Sequence, residues 1–573
     1  MKKTGAQIVM ECLAREGVEY IFGYPGGANL PLYDTLHEYP QIRHILVRHE
    51  QAAAHAADGY ARVTGKPGVC WATSGPGATN LVTGIANAWM DSVPLVCITG
   101  AVVSWLIGRD GFQEADITGI TVPITKQNYL VLDANDLAGT MREAFHLATT
   151  GRPGPVLIDI PRDIQQEKVE FHYPEHIEIK SYKPVTKGHP GQIKKAAQLI
   201  DEAERPFILA GHGVVISQAY DELRELAERA HIPVSCTLLG LGGFPGSHEL
   251  FMGMPGMHGM YWNNIAISEA DLLIAIGMRF DDRVTGRLKD FASSAKIIHI
   301  DIDPAEIGKN VKTTVPIVGD VKEVLLALNP LVKTARHHEW YAHIQELRRD
   351  HPSIAIPNVD KVLPQFVISK IYEHSGPDAY YVTGVGQHQM WAAQYFWGDN
   401  PASFVTSGGL GTMGFEIPAA IGVQIARPKD LVWSFAGDGG FQMTLQELAT
   451  IVEQELPIKF AIINNGYLGM VRQWQHLYYD DNLSSVRLFH PDYVKLAEAF
   501  GMAGVQVTNK ADVEPAIQKA IQHPGPVVID FQVEQDEDVY PMMPPGAAIY
   551  ETVDSPHAEE GAKSQEPEKV RSS

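Results

Sequence analysis

Cysteine is scarce in this chain. The 573 residues contain four, Cys12, Cys70, Cys97 and Cys236. They have neither metal-ligand spacing nor the density of a disulfide framework, so a reduced compartment is expected. Surplus positive charge is missing as well. Lys and Arg number 46 against 68 Asp and Glu, for a net charge of −22. That balance argues against nucleic-acid binding and against docking on an anionic membrane, while leaving room for a local basic pocket. No apolar run is long enough to span a bilayer. Lys2 and Lys3 are followed by Glu11, Arg15 and Glu16, which interrupt any apolar core, so no signal peptide is read. A cytoplasmic protein without membrane or nucleic-acid partners is the expectation.

What the chain has instead is length and alternation. At 573 residues, 45% of them hydrophobic and 20% charged, it exceeds one core and has the composition of soluble globular domains. Residues 1–165, 192–335 and 362–550 each alternate strand-like apolar runs with helical patterns. This reads as three consecutive α/β domains with parallel sheets. Two polar stretches bearing Pro and His, 166–191 and 336–361, read as linkers. The end, 551–573, is rich in Glu, Lys, Ser and Pro and is expected to be disordered. The first and third domains echo each other. Pro153-Gly154-Pro155-Val156-Leu157-Ile158-Asp159 is matched by Pro524-Gly525-Pro526-Val527-Val528-Ile529-Asp530. Glu50, with an Ala-rich helix to Arg62, is matched by Glu416 with a helix to Arg427. Two matches in the same order suggest a duplicated fold.

The densest chemistry lies between Gly437 and Trp474. The apolar run Leu431-Val432-Trp433-Ser434-Phe435 leads into Gly437-Asp438-Gly439-Gly440. Met443 to Val452 reads as a helix, and Lys459-Phe460-Ala461-Ile462-Ile463 as a strand followed by Asn464-Asn465. This strand–loop–helix–strand unit puts Asp438 and Asn465 at the carboxyl ends of two strands, where open α/β sheets bind ligands. A carboxylate, an amide oxygen and spare carbonyls suit a hard cation such as Mg²⁺. The glycines allow close backbone approach, and the following helix offers N–H groups to an anion. Magnesium beside a helix N-terminus makes a diphosphate site.

This pairing of GDG with NN resembles the thiamine-diphosphate motif of the family that includes acetohydroxyacid synthases, pyruvate oxidases and 2-keto acid decarboxylases. The resemblance runs from about Thr4 to about Tyr550. It implies a pyrimidine-binding first domain, a central domain and a diphosphate-binding third domain. It makes Asp438, Asn465 and the carbonyl of Tyr467 the metal ligands, with Gly437, Gly439, Gly440, Gly469 and Met470 around the diphosphate. Val385-Gly386-Gln387-His388 resembles the diphosphate-side segment that precedes them. Gly411 and Met413 resemble the turn whose apolar side chain bends the cofactor. The segment Arg48-His49-Glu50-Gln51-Ala52-Ala53 resembles the family's activating-glutamate segment. There Glu50 would hydrogen-bond the aminopyrimidine ring nitrogen and favour its imino tautomer. A Glu at a helix start is otherwise a charge stabilised by the helix dipole.

In the central domain, Met278-Arg279-Phe280-Asp281-Asp282-Arg283 resembles the FAD-binding stretch of biosynthetic acetohydroxyacid synthases, just after a strand ending at Gly277. Without the resemblance this charged run would be read as a solvated loop. Further flavin contacts are implied at Arg152, Gly211, Thr237, Leu238, Met257, His258, Asp301, Ile302 and Asp320. Together with Phe112-Gln113-Glu114, Lys126 and Met470-Val471-Arg472-Gln473-Trp474, that stretch favours the synthase branch. An FAD-dependent pyruvate oxidase is the alternative.

The synthase resemblance implies decarboxylation of pyruvate and transfer of its two-carbon unit to pyruvate or 2-ketobutyrate, on the route to valine, leucine and isoleucine. Glu50, Gly27, Phe112, Gln113 and Lys126 become the catalytic candidates, with the Gly27 N–H and Gln113 near the reacting carbonyls. Trp474, with Met470 and Val471, would select the acceptor by one methyl group, a difference of roughly 1–3 kcal/mol. Arg283 would face the acceptor's carboxylate. The implied partners are small 2-keto acids, further copies of the chain with active sites between subunits (dimer or tetramer), and a separate small regulatory subunit. Three positions depart from the family pattern. Gly384 stands where Asp is usual. The segment Gly100-Ala101-Val102-Val103-Ser104-Trp105 replaces a usual Gly-Gln-Val-Pro, and Arg162 stands where Lys is frequent.

Overall fold

The computed structural model describes residues 1–554. It divides into two compact units. The first joins Met1–Pro184, Lys361–Gln389 and Ser403–Gln535, and the second joins Val185–Asp360, Met390–Ala402 and the described residues from Asp536 on.

In chain order the first strands are β1 (Lys2–Thr4), β2 (Tyr20–Gly23), β3 (Arg43–Leu46), β4 (Gly68–Ala72), β5 (Leu95–Ala101), β6 (Gln127–Leu130), β7 (Pro155–Pro161) and β8 (Lys168–Glu170). Those of the middle of the chain are β9 (Pro206–Ala210), β10 (Val234–Cys236), β11 (Leu272–Ile276), β12 (Lys296–Asp301) and β13 (Val315–Val318). The last six are β14 (Tyr380–Thr383), β15 (Phe404–Thr406), β16 (Val432–Gly437), β17 (Lys459–Asn464), β18 (Ala503–Val507) and β19 (Val527–Gln532).

The first unit contains two six-stranded sheets, ordered β3-β2-β4-β5-β7-β6 and β15-β14-β16-β17-β19-β18. Every pairing in them is parallel. Counted from the first strand of each sheet, the two orders coincide. The strands are apolar on both faces because helices cover both; every residue of β5, β7 and β17 is buried.

One helix is central to this unit. Glu50–Thr64 opens with His49 as its N-cap, whose Nδ1 accepts the N–H of Gln51, and closes at Gly65 with φ 69°. Its alanines are buried on all sides because a second helix, Glu416–Ala426 of the third domain, lies against it. The two backbones nearly touch. A Cβ on Gly422 would stand 1.9 Å from the Ala56 carbonyl oxygen, and one on Gly59 would stand 2.2 Å from that of Ala419. Any side chain at either position would force the first and third domains apart.

The helix expected over 443–452 differs from the expectation. It begins at Asp438 and is broken into Asp438–Thr444, a 3-10 turn Leu445–Glu447 and Leu448–Glu453. At the break Glu447 is buried. Its carboxylate accepts the Arg48 N–H at 2.9 and 3.1 Å and the Thr450 hydroxyl at 2.8 Å. Burial pushes this carboxyl up to about 7. The break ties the third domain to the residue two before Glu50.

The second unit carries a five-stranded parallel sheet, β10-β9-β11-β12-β13. This is the doubly wound order in which chain direction along the sheet reverses between β9 and β11.

The stretches read as linkers have structure of their own. Within 166–191, β8 pairs antiparallel with β1, and a helix starts at Pro190. Within 336–361 lies the helix His338–Asp350, held by buried Trp340 and Ile344 and by a 3.0 Å bond from Trp340 Nε1 to the Pro206 carbonyl. Two apolar anchors four residues apart are too few to stand out as a periodic pattern. The expected disorder of the tail falls almost wholly outside the described residues. Of the tail, 551–554 are described, and Thr552 is buried and accepts from Asn264 Nδ2 at 2.8 Å.

Candidate active site

In the third domain the chain reverses along the sheet between β14 and β16, and the crevice at their carboxyl ends is where an open α/β sheet receives a ligand. Residues 384–388 leave β14 there, and Asp438 follows β16 directly. Asn464 ends β17, the parallel neighbour of β16, and Asn465 comes next. Asp438 is 1% exposed, and its Oδ2 has no hydrogen-bond partner. Asn465 is clamped on both sides of its amide. Its Nδ2 donates to Gln387 Oε1 at 3.0 Å, and its Oδ1 accepts the Tyr467 N–H at 3.1 Å, leaving a second lone pair free. Gln387 is held in turn by Gln473 at 3.0 Å. Burial, which disfavours the charged form, pushes Asp438 up to about 6.

Glycines keep this crevice open. A Cβ on Gly437 would lie 3.0 Å from the His388 ring, and one on Gly469 would lie 2.1 Å from Gln387 Oε1. Gly386 has φ 141°, which a side chain would strain. His388 is buried with Nε2 unpartnered, and burial pushes its pKa down to about 3, so the ring is neutral. The unpartnered Asp438 Oδ2 beside glycine backbone fits a Mg²⁺–diphosphate group, which Asp438, Asn465 and the Tyr467 carbonyl could hold. Among the described residues no cluster of three or more His, Cys, Asp or Glu could hold a metal. The site instead combines one carboxylate with an amide and a carbonyl. Met413 leans over it, its Cε 3.5 Å from where a Cβ on Gly439 would be, while Gly411 before it has φ 70°.

The first domain assembles a second set of groups. Glu50 is buried at the start of its helix, and its Oε2 accepts from Asn80 Nδ2 at 2.9 Å. Its Oε1 lies 3.2 Å from the place a Cβ on Gly77 would take. Gln113 has φ 59° and packs its backbone on Gly75, 2.9 Å from a Cβ placed there. Phe112 beside it is 87% exposed. Gly27 has nothing within 4 Å of a would-be Cβ, whereas Gly26 is pressed against Thr73. Glu50, Gln113 and Phe112 therefore sit near the 74–80 segment, whose end Pro76–Asn80 is a short helix. Lys126 is committed elsewhere. Its ammonium donates to the carbonyls of Leu147 (2.5 Å) and Thr150 (2.7 Å) and to the Tyr182 hydroxyl (3.0 Å), which uses all three of its protons. It pins the end of the helix Leu137–Thr149.

On the helix Gly469–Tyr478, Met470 and Trp474 are half-buried and Val471 is exposed; the Trp474 ring meets Tyr478 edge-on at 5.6 Å.

In the second unit, Gly211 after β9 and Gly277 after β11 face each other at the reversal point. A Cβ on Gly211 would lie 2.3 Å from the Gly277 carbonyl. Thr237 and Leu238 follow β10, while Asp301 ends β12 and Ile302 comes next. These residues lie at the carboxyl ends of the strands, where a doubly wound sheet receives a ligand. His258 is buried, and burial pushes it down to about 4. Met257 exchanges backbone bonds with Arg283 and Met543. Asp320 caps the helix Val321–Leu328 and accepts from Ser217 at 2.8 Å. The 278–283 run divides. Phe280 is buried with φ 52°, and Asp281 caps the next helix by accepting from the N–H groups of Arg283 and Val284. Arg279 is half-buried, and Asp282 and Arg283 pair with each other in solvent. Arg152 belongs to the first unit, where its Nε donates to Ser92 Oγ at 2.8 Å.

Two participants escaped the sequence reading. Asn80 stands in a Gly- and Pro-bearing stretch that signals no chemistry in the sequence, yet its amide fixes Glu50. Glu416 registered only as an echo of Glu50. It is 0% exposed, both its oxygens lack hydrogen-bond partners, and burial pushes it up to about 7. Its carboxylate fills the hollow left by two glycines, 2.5 Å from a Cβ at Gly384 and 2.6 Å from one at Gly440. The space of the missing Asp at 384 is thus taken by a carboxylate from another element.

Among the described residues no helix is long and apolar enough to cross a membrane. Residues 3–120, 193–328 and 384–531 match the N-terminal TPP binding domain, the central domain and the C-terminal TPP binding domain of thiamine pyrophosphate enzymes. The chain is 53% identical over 561 residues to the acetolactate synthase of Mycobacterium bovis, covering 95% of this chain and 90% of that one. It is 51% identical over 559 residues to the acetolactate synthase large subunit of Corynebacterium glutamicum, covering 96% and 89%. It is 48% identical over 562 residues to the acetolactate synthase of Arthrospira platensis, covering 95% and 96%. The chain belongs to the thiamine pyrophosphate enzymes and, within them, to the acetolactate synthases.

Proposed function

We propose that the protein decarboxylates pyruvate and joins the remaining two-carbon unit to a second 2-keto acid, releasing one CO₂ per product. With pyruvate as acceptor the product is 2-acetolactate; with 2-ketobutyrate it is 2-aceto-2-hydroxybutyrate. Bound thiamine diphosphate supplies the electron sink for the decarboxylation. Asp438, Asn465 and the Tyr467 carbonyl would hold its Mg²⁺. Glu50, through Oε1, the oxygen that Asn80 leaves open, would hydrogen-bond the aminopyrimidine ring nitrogen and favour its imino tautomer. Met413 sets how that ring is presented. The Gly27 N–H and Gln113 orient the keto oxygen, and Trp474 with Met470 and Val471 shapes the acceptor's pocket. With all its protons engaged, Lys126 serves the fold of the first domain. The single observation that carries this reading is the unpartnered, buried Asp438 Oδ2 between the Gly437–Gly440 turn and Asn465.

FAD bound at the Gly211–Gly277 edge of the central sheet serves as a structural group, and Mg²⁺ as the diphosphate's anchor. The coinciding strand orders of the two outer sheets support their origin by duplication of one domain. Further copies of the chain complete the active sites as a dimer or tetramer, and a separate small subunit regulates the enzyme in the cytoplasm. The test is stoichiometry. Purified protein with thiamine diphosphate, Mg²⁺, FAD and pyruvate should give one acetolactate and one CO₂ for every two pyruvates, with the flavin staying oxidised. Acetate formation with bleaching of the flavin would instead establish a pyruvate oxidase.

A further inference from the structure

The loop carrying Met413 is poorly suited to holding a side chain still. Residues 407–414 include Gly408, Gly409, Gly411 and Gly414, the last two with φ 70° and 84°. Glycine-rich backbone has many accessible conformations and loses much entropy when fixed in one. Apart from one internal bond, from the Thr412 N–H to Ser407 Oγ at 2.9 Å, rigidity must come from outside the loop. The structure supplies it from the first domain of the same unit, through the helix Val82–Asp91. Asp91 Oδ1 accepts the Gly409 N–H at 2.6 Å, and its Oδ2 accepts the Gly408 N–H at 3.0 Å. Asn87, one turn earlier on the same helix face, accepts at a single oxygen from the Ser407 hydroxyl (2.5 Å) and the Thr412 hydroxyl (3.1 Å). The loop is thereby gripped at both ends.

Behind these two residues stands a buried ionic frame. Arg62 donates to Asp91 Oδ2 at 2.8 Å and to Asp58 Oδ1 at 2.5 Å, and Asn87 Nδ2 donates to Asp58 Oδ2 at 3.0 Å. The Arg62 guanidinium also lies 5.5 Å from the centre of the Phe415 ring, two residues past Met413. Asn87 is 0% exposed and Asp91 1%, so these bonds form in a low-dielectric setting where they are strong and their loss is costly.

We propose that Asn87 and Asp91 are positioning residues for the reaction: they lock the 407–412 loop and so fix the Met413 side chain over Gly439. The proposal rests on the reading of Met413 as the residue that sets the cofactor's ring geometry. It gives the contact between the first and third domains a function beyond cohesion.

The experiment uses the full-length enzyme loaded with thiamine diphosphate, Mg²⁺ and FAD, with the variants Asn87→Ala, Asp91→Asn and Met413→Ala. Ser407→Ala and Thr412→Val are added because they cut the two Asn87 bonds from the loop side, without touching the ionic frame, should the Asn87 or Asp91 variants fold poorly. The readouts are the near-ultraviolet circular dichroism of the bound cofactor, which reports how its two rings face each other, the Kd for thiamine diphosphate, and kcat and KM for pyruvate. The expected result is a weakened dichroic band and a kcat lowered about 10- to 100-fold in the anchor and loop variants. Kd and KM should stay near those of the parent, as when an interaction is lost only in the transition state. If Met413→Ala changes the band and kcat while all four anchor and loop variants match the parent, the positioning role is overturned. If Met413→Ala itself leaves the band unchanged, the reading of Met413 falls, and the proposal with it.

Discussion

Replacing Glu416 with Gln should make the enzyme more stable at pH 8 than at pH 5, measured relative to the parent. The carboxyl group is wholly buried, both its oxygens lack hydrogen-bond partners, and burial moves its pKa from 4.5 to about 7. The sign follows from linkage. The folded state holds this proton more tightly than the unfolded chain, so the group's stabilising contribution is fully present below pH 4.5 and is lost as pH rises through about 7. The gap from 4.5 to about 7, at about 1.4 kcal/mol per pH unit, makes the full loss about 3.5 kcal/mol, of which about 2.5 kcal/mol falls between pH 5 and pH 8. Gln occupies the same hollow between Gly384 and Gly440 without a charge and escapes it. The first unit has roughly 350 residues, so its unfolding entropy near the midpoint is about 0.7 kcal/mol/K, and about 2.5 kcal/mol corresponds to about 4 °C in Tm. The assay is a set of thermal melts of parent and E416Q from pH 5 to pH 8. Glu447 and Asp159, also raised by burial to about 7, titrate in both proteins and cancel in the difference. The Tm difference should climb by about 4 °C toward Gln across that range. A difference that stays flat with pH would mean that Glu416 meets a counter-charge, and the reasoning would fail.

Other perturbations test the rest of the site. Asp438→Ala should abolish Mg²⁺-dependent binding of thiamine diphosphate, seen by titration calorimetry. In the parent, the metal must displace the proton that Asp438 holds below about pH 6, so Mg²⁺ affinity should fall about tenfold per pH unit below that point. Glu50→Gln should retain the cofactor yet lose about 10²- to 10⁴-fold in kcat; a loss confined to cofactor Kd would contradict its role at the ring nitrogen. Trp474→Leu should shift the acceptor ratio between 2-ketobutyrate and pyruvate by about 10-fold or more, measured by product analysis of mixed substrates.

The frame of this site was legible where chemistry is local. The apolar runs of β16 and β17, each closed by turn residues, place Asp438 and Asn465 at neighbouring strand ends without reference to the rest of the chain. Glu50 at the head of an Ala-rich helix was equally readable. Partners distant in sequence were not. Asn80 meets Glu50 across 30 residues and Asp91 meets Gly409 across 318, and no periodicity encodes either bond. The break at 445–447 was hidden because residues on both sides keep helical spacing, while its cause, the grip of Glu447 on the Arg48 N–H, spans 399 residues. Asp281 illustrates a different limit. In a run of charges a helix cap and a ligand contact look alike, and only its bonds to the N–H groups of Arg283 and Val284 identify the cap.

The most direct test of the account is a competition assay. The purified enzyme is given thiamine diphosphate, Mg²⁺, FAD, pyruvate and 2-ketobutyrate together, and both acetohydroxy acids, acetate and oxygen uptake are quantified. The account predicts both acetohydroxy acids, with 2-aceto-2-hydroxybutyrate in excess and no oxygen consumed. Acetate with stoichiometric oxygen uptake and no carbon–carbon bond formation would contradict it.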